Sequence, residues 1–256
     1  MTRVTKIGGN ELSAPGFLEG LADIHHGLTR MGGWAVIVHG GGQDIADLQS
    51  RLGIAPIKVD GLRVTDAASL NVAEMVLSGR ANKQIVRALL AAGLDAVGLS
   101  GVDGRLLTAR KKQHPTADLG LVGEVTAVRA HLLQRLLQVG LIPVISPISL
   151  GNDGQTYNVN ADEAAAAIAA ALEADTLDFV SNVPGVLAGG ALLPHLSPEA
   201  TEALIADGTI AGGMIPKVRA ALDALARGVP SVRIVDLAGL RGGGGTVFSE
   251  QLSVNS

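Results

Sequence analysis

The sequence predicts an α/β fold built on a mainly parallel sheet, and three observations carry that prediction. Six short, β-branched runs alternate with longer helical stretches. The runs are apolar almost throughout, as strands covered on both faces are, instead of alternating apolar with polar residues. Several of them end in glycine or small polar residues: KIGGN, VHGGG, GLSGVDG, PISLGNDG and VSNVPG. Ligands in such sheets sit beyond the carboxyl ends of the strands, so these junctions predict a glycine-lined rim.

In chain order, strands are predicted at Val4–Ile7, Ala35–Val38, Ala96–Leu99, Ile142–Ile145, Leu177–Val180 and Val232–Val235. Helices are predicted at Gln43–Leu52, Ala67–Leu77, Asn82–Ala91, Arg129–Gln138, Asp162–Glu173, Pro198–Ala206 and Pro216–Ala226. Hairpins fit Ile57–Val64 and Leu106–Val128, where DLGLVGEV alternates apolar residues with others. The alanine run Ala164–Leu172 reads as helix, because alanine has the best helix propensity. It is far shorter than the ~20 residues needed to cross a bilayer.

Composition narrows the function. The 256 residues are 47% hydrophobic and only 2% aromatic, so the core is aliphatic and offers no stacking platform for bases. A net charge of -4 excludes the basic face that nucleic acid or an acidic membrane would require. Small metabolites are the expected partners. With no cysteine, the chain has no disulfide, thiolate or cysteine-ligated zinc chemistry. The opening MTRVTKIGGN carries a lysine where a signal peptide needs an apolar core, and the expected location is the cytoplasm.

The segment VIVHGGGQDIADL runs a strand through three glycines into a helix. The first N–H groups of a helix lack internal partners and its dipole is positive there, so the junction predicts an anion as guest. GxxxxGK[ST] and HExxH are both absent, so any phosphate machinery is of another kind. Two of the six lysines have unusual settings: Lys6 within an apolar strand before Gly8 and Gly9, and Lys217 in the first turn of a helix after GGMIP. A lysine in a buried strand is costly without a partner, and a cation at a helix start opposes the dipole.

Asp162 can supply that partner, with Asn160 as helix cap and Asn158 on the strand before it. Taken singly, Asp162 also reads as a helix-start charge and Lys217 as a solvent-facing side chain. Arg63, in VDGLRVTD, can grip a carboxylate in a bidentate pair. The six histidines have no metal-ligand spacing: His25, His26 and His131 read as helix-surface residues, His114 and His195 as loop residues, and His39 as shaping its turn.

KIGGN, VIVHGGG, LGI, VDGLRVTD, VAEMVLSGRANKQIV, AVGLSGVDG, DLGLVGEV, IPVISPI, YNVNADEAAAAIA, NVPGVL and DGTIAGGMIPKV follow one another along nearly the whole chain. In that order they resemble the amino-acid kinase family, and within it the branch acting on N-acetyl-L-glutamate. The resemblance implies transfer of the γ-phosphoryl group of ATP, with Mg2+, to the substrate's side-chain carboxylate, the second step of arginine biosynthesis. It implies a three-layer αβα sandwich of the carbamate kinase-like type with two lobes. Residues 1–173 would bind acetylglutamate and dimerise, and residues 174–256 would bind ATP.

By the same resemblance, Lys6 and Lys217 stabilise the transferring phosphoryl group, Asp162 organises them, and Gly8 and Gly41 offer it N–H groups. Gly41, Gly42, Arg63, Asn158 and Asn160 would bind acetylglutamate. Gly8, Gly9, Ser181, Asn182, Gly185, Met214 and Lys217 would surround the nucleotide, and no protein metal site is implied. The chain departs from the family in carrying Asn182 where an aspartate is usual. A short VLAGGALLPHL and a final VDLAGLRGGGGTVF that reads as lacking a helix are two further departures. An arginine-insensitive homodimer is expected. The alternatives are a kinase for aminoadipate or glutamate borne on a carrier protein, with Arg105, Arg110, Lys111 and Lys112 at its mouth, and a non-catalytic sensor of the same fold.

Overall fold

The computed structural model describes residues 1–59 and 61–250. The chain begins β1 (Thr2–Ile7), α1 (Gly9–Leu12), α2 (Phe17–Arg30), β2 (Trp34–His39), α3 (Gly42–Arg51), β3 (Lys58–Val59), β4 (Leu62–Arg63), α4 (Ala67–Glu74) and α5 (Asn82–Ala91). It continues β5 (Ala96–Ser100), β6 (Leu107–Lys111), β7 (Val122–Val128), α6 (Ala130–Gln138), β8 (Ile142–Ser146), β9 (Ile148–Gly151), β10 (Thr156–Val159) and α7 (Ala161–Ala171). Last come β11 (Thr176–Val180), β12 (Leu187–Ala188), β13 (Ala191–Leu192), β14 (His195–Leu196), α8 (Pro198–Ala206), α9 (Met214–Ala226), β15 (Val232–Val235), α10 (Leu237–Gly242) and β16 (Thr246–Phe248).

Eight strands form the central sheet in the order β14-β16-β15-β11-β1-β2-β8-β5, parallel except between β15 and β16. All six predicted strands lie in it. Alternate residues of β2 serve opposite layers: Val36 and Val38 pack with α7 and α9, whereas Ala35 and Ile37 pack with α2 and α5. This period of two is what makes three layers. Val4 faces the α7 side, so Lys6, two residues on, leaves the strand toward the same side. Above the sheet, β10, β7, β6 and β9 close a small barrel, and β3 pairs with β4 as a hairpin. No helix among the described residues is long and apolar enough to cross a membrane.

Three expectations need correction. Helix α2 was not foreseen, and its His25 is fully buried, not on the surface. The helix predicted over Ala67–Leu77 does not stop there, but passes into α5 through a π-helical segment, Met75–Ala81. The closing segment does contain a helix, α10: Asp236 caps it through Gly239 N–H at 2.6 Å, and Leu240 is buried. Cap and burial there outweigh the poor propensity of three glycines. A smaller difference is that His195 opens β14 instead of lying in a loop.

Both buried histidines are neutral. Nδ1 of His25 donates to Leu21 O at 2.9 Å, and Thr5 Oγ1 lies 3.3 Å from its Nε2. Nδ1 of His39 donates to Gly40 O at 3.1 Å, and Nε2 accepts from Asn82 at 3.2 Å. Burial, only partly offset by these bonds, lowers both pKa values from 6.5 to about 4. Between those values the unfolded chain takes up protons that the folded chain refuses, so stability falls as pH drops. The loss is on the order of 3 kcal/mol for each histidine once pH falls below the lowered pKa. Urea midpoints measured from pH 7 to pH 4 should decline through this window, and a flat midpoint would contradict buried neutral imidazoles.

Candidate active site

Lys6 leaves the end of β1 and meets Asp162 in the first turn of α7, with Nζ 2.8 Å from Oδ1. Both residues are buried, at 5% and 8% exposure. The contact is an ion pair lying off the line of a hydrogen bond, and Oδ1 keeps an unfilled acceptor position. Asn160 builds the helix start, accepting from the N–H groups of Asp162 at 2.7 Å and Glu163 at 3.3 Å. Burial alone would raise the Asp162 pKa, but Lys6 and Lys217 overcome it and leave the carboxyl below its ordinary value. Asp162 is therefore ionised throughout the neutral range.

Lys217, in the second turn of α9, completes the cluster. Desolvation lowers its pKa, and neighbouring Lys6 lowers it further, while Asp162 and Glu11 pull the other way. Sequence reasoning foresaw the two lysines and Asp162 but missed Glu11, which is only 9% exposed.

Two glycine turns close the floor. A Cβ on Gly9 would lie 2.7 Å from Gly41 Cα and 3.0 Å from Gly42 N, so the turns after β1 and β2 meet backbone to backbone. Only glycine permits that approach. Gly8 and Gly41 are the N-caps of α1 and α3, neither with a side-chain cap, and the first N–H groups of both helices have no intrahelical acceptor. A Cβ on Gly41 would also lie 2.8 Å from Leu77 Cδ2, which the π-helical segment brings over the turn.

Beside this floor lies a cavity of about 230 Å³ lined by Lys6, Gly41, Gly42, Arg63, Asn158, Asn160 and Asp162. The structure thus brings together every residue assigned from the sequence to the acidic substrate. Arg63 is held in place by Gln49 Oε1 and by Gly42 O at 3.0 Å, and the fully buried Gln49 donates onward to Ser69 Oγ at 3.0 Å. Asn158 donates to Thr65 Oγ1 at 3.2 Å, and that hydroxyl donates to Arg63 O at 2.8 Å. Gln49 and Thr65 were not singled out. Gln49 is the one polar side chain whose partner lies across a loop, and no local pattern signals such a bond.

The residues assigned to the nucleotide are divided. Ser181 and Asn182 line a second cavity, of about 450 Å³, with Asn10, Glu11 and Asp236. Gly185 and Met214 do not line it. Gly185 has a positive φ of 156°, and a Cβ there would lie 2.6 Å from Thr246 Oγ1, so close packing accounts for it. Met214 packs against the apolar layer of α7 and α9. Of the basic residues proposed to face a carrier protein, Arg110 pairs with Glu124 at 2.5 Å, Lys111 with Asp118 at 2.7 Å and Lys112 with Glu163. Arg105 reaches Asn152 at 3.5 Å.

Two buried ammonium groups, a buried carboxylate and converging backbone N–H groups form a site for an anion whose negative charge is shared among several oxygens. Known proteins agree with that chemistry. The chain is 54% identical over 249 residues to an acetylglutamate kinase of Roseiflexus castenholzii, covering 97% of this chain and 95% of that one. The smu.665 protein of Streptococcus mutans UA159 has a similar solved structure, with TM-score 0.85, 30% identity and 98% and 99% of the two chains covered. Carbamate kinase of Giardia, 17% identical with TM-score 0.72 over 98% and 99% of the two chains, shares the fold. The model of the amino acid kinase family matches residues 1–236, and the chain belongs to that family.

Proposed function

We propose that the protein transfers the γ-phosphoryl group of ATP, as its Mg2+ complex, to the side-chain carboxylate of N-acetyl-L-glutamate. The products are N-acetyl-L-glutamyl 5-phosphate and ADP, in the second step of arginine biosynthesis. The Lys6–Asp162–Lys217 cluster beside the Arg63 cavity is the observation that carries this reading. Relatives about half identical to the chain and named acetylglutamate kinase support the choice of acid.

In this reading Arg63, braced by Gln49, pairs with the α-carboxylate, while Asn158 and Asn160 with the edge of Gly42 seat the rest of the substrate. A carboxylate oxygen attacks the γ-phosphorus, forming an acyl phosphate bond as the bond to ADP breaks. The substrate carboxyl, with a reference pKa of about 4.3, is already ionised at neutral pH, so no general base is needed. Charge builds on the phosphoryl oxygens, and stabilising it from fixed positions is the protein's main task. Lys6 and Lys217 do so from two sides, with the N–H groups of Gly8 and Gly41 below. Ser181 and Asn182 face the nucleotide.

We assign residues 1–173 to the acid-binding lobe and residues 174–256 to the nucleotide lobe, the two sharing one sheet. The homodimer belongs to the same proposal, supported by the exposed Met75 and Leu90 on the helices flanking the site. A carrier-borne substrate has less support, because Arg110, Lys111 and Lys112 are each neutralised by a carboxylate. A non-catalytic sensor would have no use for two buried lysines, since only a reacting phosphoryl group demands that charge.

Incubation with MgATP, N-acetylglutamate and hydroxylamine should give acetylglutamyl hydroxamate, with little from aspartate or free aminoadipate. No hydroxamate from any free acid would overturn the assignment. The lowered pKa of Lys217 sets the pH dependence: its positive charge is lost as pH rises, so kcat/KM should fall on an alkaline limb below the ordinary lysine value of 10.5. Lys217→Arg, which stays protonated, should lower kcat and move that limb upward. An unmoved limb would assign it to another group.

A further inference from the structure

Glu11 has no role in the mechanism above, yet it is a carboxylate placed where phosphoryl chemistry should discourage one. It lies in α1, directly after the glycine pair, and folds back so that Oε2 would be 2.1 Å from a Cβ on Gly8. It is 9% exposed and has no hydrogen bond or ion pair within bonding distance among the described residues. A glutamate at this position of a helix often reaches back to the N-cap N–H in a capping box. Here the N-cap Gly8 N–H receives no such bond. The carboxylate instead lines the cavity of about 450 Å³ that also contains Asn10, Ser181, Asn182 and Asp236.

The charges around the floor explain why such a group would be kept. Lys6 and Lys217 are balanced by Asp162 and Glu11, with Glu11 acting directly on Lys217. A triphosphate and an acidic substrate bring only negative charge to this balanced set. A divalent cation is the missing term, and the donors facing the cavity are hard oxygens and amides of the type Mg2+ accepts. No group of three carboxylates or histidines that could hold a metal by itself exists among the described residues. Mg2+ is ordinarily held in that way at nucleotide sites, by one or two carboxylates together with the phosphates.

We propose that Glu11 is the carboxylate through which this protein holds the divalent cation accompanying the nucleoside triphosphate, in the cavity between the end of β1 and the Ser181–Asn182 turn. The proposal rests on the reading of the site as a nucleotide-dependent kinase. Asp236 has one oxygen committed to Gly239 N–H and plays a lesser part.

The test is the coupling between metal and nucleotide, read without turnover. Calorimetric titration with the non-hydrolysable analogue AMP-PNP, with Mn2+ and with EDTA, gives the factor by which the metal strengthens binding. In the native protein Mn2+ should strengthen it. Glu11→Gln should shrink that factor by about tenfold, the low end of what losing a supporting metal contact costs. Its metal-free affinity should stay the same or improve, since a negative charge has been removed. Glutamine serves equally well in a capping box, so a purely structural Glu11 would leave the factor unchanged. An unchanged factor in a variant with native circular dichroism overturns the proposal, as does a native protein whose AMP-PNP affinity ignores Mn2+. Glu11→Ala, titrated alongside, should shrink the factor at least as much. Hydroxamate formation by the native protein with an unchanged factor in Glu11→Gln removes only the metal assignment. Failure of AMP-PNP to bind at all removes the nucleotide reading as well.

Discussion

The buried ion pair between Lys6 and Asp162 is the constraint around which the rest of the site is arranged. An ammonium group at the end of a central strand would not tolerate burial alone, because removing one partner of such a pair leaves an uncompensated charge costing several kcal/mol. The pair also ties β1 to the start of α7, two elements far apart in sequence. Asn160 fixes the first turn of α7, and the turn fixes Asp162. Lys217 can approach Lys6 because that carboxylate lies between their charges. The cluster is thus a preorganised charge distribution whose cost is met by folding before any ligand arrives.

The glycine turns solve a complementary problem. Charge on transferring oxygens is best met by N–H groups that need no movement, and two helix starts supply them only if their turns meet closely. Gly9 against Gly41 and Gly42 sets that distance, and Leu77, delivered by the π-helical segment, seals its outer side. A side chain at Gly9 would press on backbone and not on a flexible neighbour. The arrangement therefore depends on the absence of atoms at one position as much as on the presence of charge at another.

Much of this was legible in the sequence because it is local. Strand composition gave the parallel sheet, the alternation along β1 put Lys6 on the face of α7, and the NVNAD segment marked cap and carboxylate together. What stayed hidden depends on contacts between distant segments. Gln49 bracing Arg63, Leu237 and Leu240 rescuing a glycine-rich helix, and the burial of His25 beneath Thr5 all come from tertiary packing that overrides local propensity. Glu11 was overlooked because a glutamate early in a helix is unremarkable until the cavity it faces is known. Gly185 and Met214 were assigned to the nucleotide by resemblance alone, and packing accounts for both.

The measurement that bears most directly on this account is the steady-state kinetics of Asp162→Asn in the hydroxamate assay, with folding verified by circular dichroism. Asparagine keeps the shape and removes the charge that holds the two lysines. The account predicts a fall in kcat of about a hundredfold or more, in the range that loss of one preorganised electrostatic contact produces, with a much smaller change in KM for N-acetylglutamate. A folded variant with kcat within about twofold of the native protein, a change of less than half a kcal/mol in barrier, would contradict it.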